Sequence, residues 1–302
     1  SISRQISFSI QRAELLDQLE LHTKNLEHLV KARTHEILKT QKTTIFALSR
    51  LAEVRDPETG EHLERIRNFS VLIAQILKYS GNEVEITNQY LRDLYDSSIL
   101  HDIGKVGIPD DILLKPGPLT PVEYEIIKTH TTIGYTALKE ASRDLGENSF
   151  LNMAMDVTLY HHERYDGSGY PRGLAGDGIE PLARMVAVAD MYCSLIADGN
   201  QISQRLSAHE AFDYVTSAAG FEFDRTTVLG VMQYIAPYPV GTMVQLNTGE
   251  KGVVTRVYKG LTTRPTVRVL YDASGAETAQ TRDIALAAPE NQTVLVVQAC
   301  EL

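Results

Sequence analysis

Tryptophan is absent from the 302 residues, cysteine occurs twice and phenylalanine seven times. Cys193 and Cys300 are too few and too far apart for a disulfide scaffold or a thiolate zinc knuckle. Any metal site in this chain is therefore built from histidine, aspartate and glutamate. Basic side chains are also in deficit, 29 against 39 acidic, which leaves a formal net charge of −10. Binding to a nucleic-acid polymer rests on neutralising phosphates, so this balance argues against such a partner. No run approaches the ~18 apolar residues that span a bilayer, and the start lacks a basic-then-apolar leader. The expectation is a cytoplasmic chain with no membrane contact within this segment. What remains is ordinary globular composition, 43% hydrophobic and 23% charged, with enough length for one large domain or two smaller ones.

Residues 10–55 contain no proline or glycine and are dominated by helix formers, which predicts one long helix. Leu16, Leu19, Thr23, Leu26, Val30, Arg33, Ile37 and Thr40 fall on an imperfect heptad seam, the pattern of a coiled coil that joins a homodimer. Residues 1–50 carry eight basic and five acidic side chains, a surplus of +3, so the rest of the chain holds −13 of the net −10. Residues 1–45 are assigned to this helical linker. Its first turns resemble the last helix of a GAF sensor domain, which implies an upstream sensor.

Helical periodicity continues from Thr43 to about Ile235, broken by proline and glycine near Asp56-Pro57, Gly81, Gly104 to Gly117 and Gly167 to Gly178. Residues 46–236 are expected to form an all-helical bundle. After Pro237 and Pro239 the pattern changes to short β-branched runs: Met243 to Leu246, Gly252 to Tyr258, Thr266 to Tyr271 and Thr293 to Gln298. A small β-barrel over 237–302 is the simplest closed arrangement of such strands. The fold class is thus mainly α, with a β module at the C-terminal end.

Within the bundle, five histidines stand among apolar segments: His62, His101, His130, His161 and His162. His101-Asp102 closes the apolar-flanked run Leu94 to Ile103, where a buried carboxylate and imidazole are costly without a partner. A divalent cation partners several such groups at once. His161 and His162 point about 100° apart on a helix, but at a helix end both can reach one metal. Asp190 is a lone acid ending the apolar run Met185 to Ala189, and Glu58 lies four residues before His62, one face of a helix that passes through Gly60. Taken singly, a histidine on an apolar face is more often a hydrogen-bonded core residue, and Glu58 after Asp56-Pro57 equally fits an exposed first-turn acid. Their co-occurrence carries the metal reading.

The run His101-Asp102-Ile103-Gly104-Lys105, an intervening His130, and His161-His162-Glu163-Arg164-Tyr165-Asp166-Gly167-Ser168-Gly169-Tyr170-Pro171-Arg172-Gly173-Leu174 together resemble the HD-GYP subgroup of HD-superfamily phosphohydrolases. The resemblance covers about Phe46 to Ile235. It implies an HD-type helical bundle and a metal-dependent phosphodiesterase that hydrolyses cyclic di-GMP, or a related cyclic dinucleotide, to pGpG and on to GMP. Two or three divalent ions, iron or manganese, are implied as cofactors. By the same resemblance Asp102 bridges two ions, with His62, His101 and Asp190 on one and His130, His161 and His162 on the other; Glu58 matches the carboxylate used by members with a third. A hydroxide bridging the ions is then the nucleophile, and Lys105, four residues after His101, adds positive charge beside the scissile phosphate. The Asp166 to Pro171 segment reads as a rigid lip to the cleft, with Gly169, Tyr170 and Arg172 as substrate contacts; Tyr170 fits base stacking and packing equally. In the family this lip is also implicated in docking to diguanylate cyclase domains.

The match fails after Asp190. Cys193 stands where the family has aspartate, and Gly199 and Ile202 stand where it has an arginine and a lysine that grip phosphate. Charge-assisted contacts of that kind are worth about 1.5–3 kcal/mol each. Arg205 and Arg172 are the candidate substitutes. The alternative is therefore a catalytically weak domain that keeps its metals and signals by binding nucleotide or a cyclase.

Overall fold

The computed structural model describes residues 2–54, 61–78, 85–146, 148–197 and 206–300. Two compact units divide the chain, Ser1–Leu48 and Ser49–Leu302. The first belongs to helix α1, Ile2–Glu53, a single 52-residue helix. Leu16, Leu19, Leu26, Val30 and Ile37 are exposed along it, between 49% and 65%.

In the second unit the helices are α2 (Glu61–Lys78), α3 (Asn88–Ser97), α4 (Asp110–Leu113), α5 (Pro121–Lys128), α6 (His130–Leu145), α7 (Ser149–Tyr160), α8 (Pro181–Leu195), α9 (Ala208–Ser217) and α10 (Arg225–Met232). Local chemistry sets several of their starts. Thr120 and Glu123 form a reciprocal capping box at α5 with Pro121 as its first residue, Ser207 and Glu210 do the same at α9, and Asn148 caps α7. Helix α8 is apolar on almost every side and lies at the centre, as a helix without a polar face must. Met185, Val186 and Val188 of α8 pack with Ile73 and Leu77 of α2, Leu94 of α3, Val157 of α7 and Val228 of α10 in one core. Asp190 is the acid carried on this central helix, with its side chain 16% exposed.

The C-terminal strands are β1 (Met243–Leu246), β2 (Lys251–Arg256), β3 (Thr266–Tyr271), β4 (Glu277–Ala285) and β5 (Val296–Cys300). They form one antiparallel sheet in the order β4-β3-β2-β1-β5. The expected barrel is not closed: β4 and β5 are the two edges and do not pair with each other. Apolar side chains on one face, Val244, Leu246, Val254 and Val267, pack with Leu286 instead. Strand β4, absent from the expected set, reads Glu-Thr-Ala-Gln-Thr-Arg-Asp-Ile-Ala and is mostly exposed, so it carries no apolar alternation to betray it. The sheet is tied to the bundle where Thr262 Oγ1 donates to the Met232 carbonyl at 2.8 Å and the Gly260 N–H donates to the Gln233 carbonyl at 3.0 Å.

Candidate metal centre

Four segments converge on one point. After α3 the chain tightens into a 3-10 turn over Ser98–Leu100, passes His101 and Asp102, and enters a second 3-10 turn over Ile103–Gly107. Gly104 lies against the start of α6: a Cβ there would run into the His130 carbonyl and come within 2.7 Å of the Gly134 nitrogen. Only glycine permits that approach, and it brings His130 up to Asp102. His161 is the C-cap of α7, so His161 and His162 leave the helix end as a pair. His62 comes from α2 and Asp190 from α8.

The result is two adjoining sets of ligand atoms, each within 4.8 Å of one another: Asp102, His130, His161 and His162 in one, His62, His101 and Asp190 in the other. Asp102 lies at the junction. Its Oδ2 is 3.2 Å from His101 Nε2, while its Oδ1 is 3.2 Å from His130 Nε2 and 3.7 Å from His161 Nε2. Asp190 Oδ1 is 3.7 Å from His62 Nε2 and 3.8 Å from His101 Nε2. Glu58 lies outside the described residues, as do Gly199, Ile202 and Arg205.

The backbone fixes which ring nitrogens face inward. Nδ1 of His101, His130 and His161 meets the carbonyls of Ser98 at 2.9 Å, Ile127 at 2.7 Å and Val157 at 2.9 Å. A carbonyl accepts only, so each Nδ1 donates and Nε2 is the ring nitrogen left facing Asp102. His101 Nε2 and Asp102 Oδ1 are buried without a hydrogen-bond partner. Lone pairs facing carboxylate oxygens in a buried site form a donor set for a cation. All seven groups are nitrogen or oxygen ligands, which fits a divalent ion of that preference.

Electrostatics point the same way. Burial alone would lower the His101 pKa, but the carboxylates of Asp102, Asp190 and Glu53 raise it to about 10, so the site favours positive charge at this atom. Burial opposes ionisation of Asp102, yet the Lys105 ammonium and His101 hold it well below the usual carboxylate range. Burial and neighbouring imidazoles push His161 and His162 down, leaving them neutral and able to donate lone pairs.

Lys105 does not reach the site along an α-helix from His101, as its four-residue spacing implied. The second 3-10 turn carries it back, and its Nζ lies 2.8 Å from Asp102 Oδ2. Above the ligands is a cavity of about 390 Å³ lined by Lys105, Tyr124, His130, Arg164, Tyr170 and Glu222 among others, including Gly169. Tyr170 lies over His162, with ring centroids 4.8 Å apart. Arg172 is exposed over the Tyr160 ring at 5.4 Å and is not among the lining residues.

Two acids escaped the sequence reading. Glu163 is 3% exposed and accepts the backbone N–H groups of Arg172 at 2.7 Å and Leu174 at 2.8 Å, so it pins the lip from inside. Glu53, 6% exposed at the end of α1, contributes to the elevation of His101. An acid following Leu51-Ala52 was the available signal for it.

A family model described as "HD domain" matches residues 46–227, and one described as "KOW domain associated with HD domain" matches residues 243–302. The chain belongs to the HD domain family, in its HD-GYP subgroup. A "Probable cyclic di-GMP phosphodiesterase" of Vibrio cholerae is 41% identical over 66% of this chain and 45% of its own length. A "Cyclic di-GMP phosphodiesterase" of the same organism is 37% identical over 74% of this chain and 46% of its own length. A "3'3'-cGAMP-specific phosphodiesterase" of that organism is 34% identical over 53% of this chain and 28% of its own length. The chain thus spans about half the length, or less, of these curated relatives. Among the described residues no helix is long and apolar enough to cross a membrane.

Proposed function

We propose that this chain is a metal-dependent phosphodiesterase that opens cyclic di-GMP, or a related cyclic dinucleotide, to pGpG and then to GMP. The observation that carries the reading is the convergence of three imidazole Nε2 atoms, each oriented by a backbone carbonyl, on Asp102 beneath an open cavity. The names of the relatives at 41% and 37% identity support the substrate class.

In this reading His62, His101 and Asp190 hold one divalent ion, His130, His161 and His162 hold a second, Asp102 serves both, and Glu58 serves a third where one is bound. The all-nitrogen and oxygen donor set favours iron or manganese over structural zinc. Such ions, when bound, polarise the scissile phosphate and activate the attacking water. The chain's own residues do the rest. Lys105 keeps Asp102 ionised and places an ammonium at the cavity floor, where the phosphate oxygens gain charge as the bond breaks. Gly169 and Tyr170 border the cavity and shape the space for the base.

We read residues 1–45 as a dimerising linker from an upstream sensor, 46–236 as the hydrolase and 237–302 as an accessory module, the whole acting in the cytoplasm and open to a diguanylate cyclase partner at the lip. Anaerobic reconstitution with Fe(II) or Mn(II), followed by chromatography of cyclic di-GMP and cyclic GMP-AMP digests, tests the enzyme. Linear product is expected. Full metal occupancy and nucleotide binding without turnover would instead establish the catalytically weak signalling domain.

A further inference from the structure

A cyclic dinucleotide has bases as well as phosphates, and the cavity holds two cations among its described lining residues, Lys105 and Arg164. Their surroundings differ. Lys105 lies on Asp102 at the ligand cluster. Arg164 is on the wall, 43% exposed, with Nη2 3.1 Å from Glu222 Oε2. Backbone bonds lock the two segments together: the Tyr165 N–H donates to the Glu222 carbonyl at 2.9 Å, and the Asp166 N–H to the Phe221 carbonyl at 2.8 Å. The residues that follow Arg164 are therefore fixed to the Glu222 segment, and its guanidinium is ion-paired with the Glu222 carboxylate on one side.

That pairing decides what Arg164 suits. A carboxylate beside the guanidinium cancels its charge and repels a second anion, so the pair is a poor phosphate site. The planar N–H fork persists. Guanine presents two acceptors, N7 and O6, on one edge and accepts such a fork bidentately; adenine places an amino donor where guanine has O6. We propose that Arg164 reads the guanine edge of the substrate and that Glu222 is a positioning residue holding the fork in place. The inference rests on the cyclic-dinucleotide reading above.

The test is the ratio of kcat/KM for cyclic di-GMP to that for cyclic di-AMP in the metal-loaded full chain, measured for the wild type, Arg164→Lys, Arg164→Ala and Glu222→Gln. The wild type is expected to favour cyclic di-GMP, and both Arg164 variants to lose roughly 10–100-fold of that ratio, mainly through KM. Lysine keeps the charge and loses the fork, so rescue by Arg164→Lys would assign the residue to phosphate and overturn the proposal. An unchanged ratio in Arg164→Ala would overturn it too. Where the Arg164 variants fail to fold, Glu222→Gln carries the test: a several-fold drop in the ratio supports the positioning role, and no change refutes it. A wild type that cleaves bis(p-nitrophenyl) phosphate but neither cyclic dinucleotide defeats the substrate reading itself; one that cleaves both dinucleotides without preference defeats only this inference.

Discussion

Lys105 Nζ lies 2.8 Å from Asp102 Oδ2, brought there by the 3-10 turn that follows the histidine-aspartate pair. A cation so close to the Asp102 carboxylate favours its ionised form while standing at the edge of the cavity. Replacing Lys105 with methionine is expected to lower kcat roughly 100- to 1,000-fold, the scale of losing one preorganised charge donor. Metal content, measured by plasma mass spectrometry, should stay near the wild-type value, because the ammonium is not a ligand.

Asp102 stands at the junction of the two sets, with Oδ2 3.2 Å from His101 Nε2 and Oδ1 3.2 Å from His130 Nε2. Asp102→Ala and His101→Ala are expected to abolish metal loading, whereas Glu58→Ala removes at most one equivalent. Unchanged metal in Asp102→Ala would refute the shared role.

Glu163 accepts two backbone N–H groups of the lip from a buried position. Glutamine offers one carbonyl oxygen and turns an amino donor toward the other N–H. Glu163→Gln should destabilise the fold by about 1–3 kcal/mol in urea titrations, the cost of a buried unsatisfied donor. Limited proteolysis should show faster cutting between Arg164 and Gly178, the segment it restrains.

Burial, with a further push from Glu180, raises the Asp156 pKa from the ordinary carboxylate range to about 6. A carboxyl whose folded pKa is raised binds its proton more tightly in the folded state. Its contribution is fully present below about pH 4 and is lost as pH climbs through 6. Asp156→Asn is expected to flatten that part of the stability profile and to raise the melting temperature at pH 7 relative to the wild type, which differential scanning fluorimetry across pH 4–8 would record.

Leu26 and Val30 are 49% and 62% exposed on a helix whose seam repeats at heptad spacing. Burial against a second copy would account for apolar residues in those positions. Light scattering is expected to give a dimer for the intact chain and a monomer for Leu26→Lys combined with Val30→Lys.

How far the sequence led is clearest from individual elements. The long helix was legible because no proline or glycine interrupts it, and β1 and β3 because each is a short β-branched run. Strand β4 was not, since an exposed edge of polar residues has no burial to impose alternation. The closed barrel failed for the same reason: closure requires both edges to pair, and pairing of distant edges leaves no local trace.

At the site, the co-occurrence of imidazoles and carboxylates in apolar segments, together with the family resemblance, nominated Glu58, His62, His101, Asp102, His130, His161, His162 and Asp190; Glu58 lies outside the described residues. The other seven are the groups that the fold gathers into two adjoining sets. The sequence by itself determined this inventory of imidazoles and carboxylates, together with the family. Only the tertiary structure decided orientation: which nitrogen each ring turns inward, that Lys105 returns onto Asp102, that Arg172 rests over Tyr160 while Arg164 borders the cavity with Glu222, and that Glu163 pins the lip. These depend on backbone carbonyls and on contacts between segments far apart in the chain, and spacing along a sequence specifies neither.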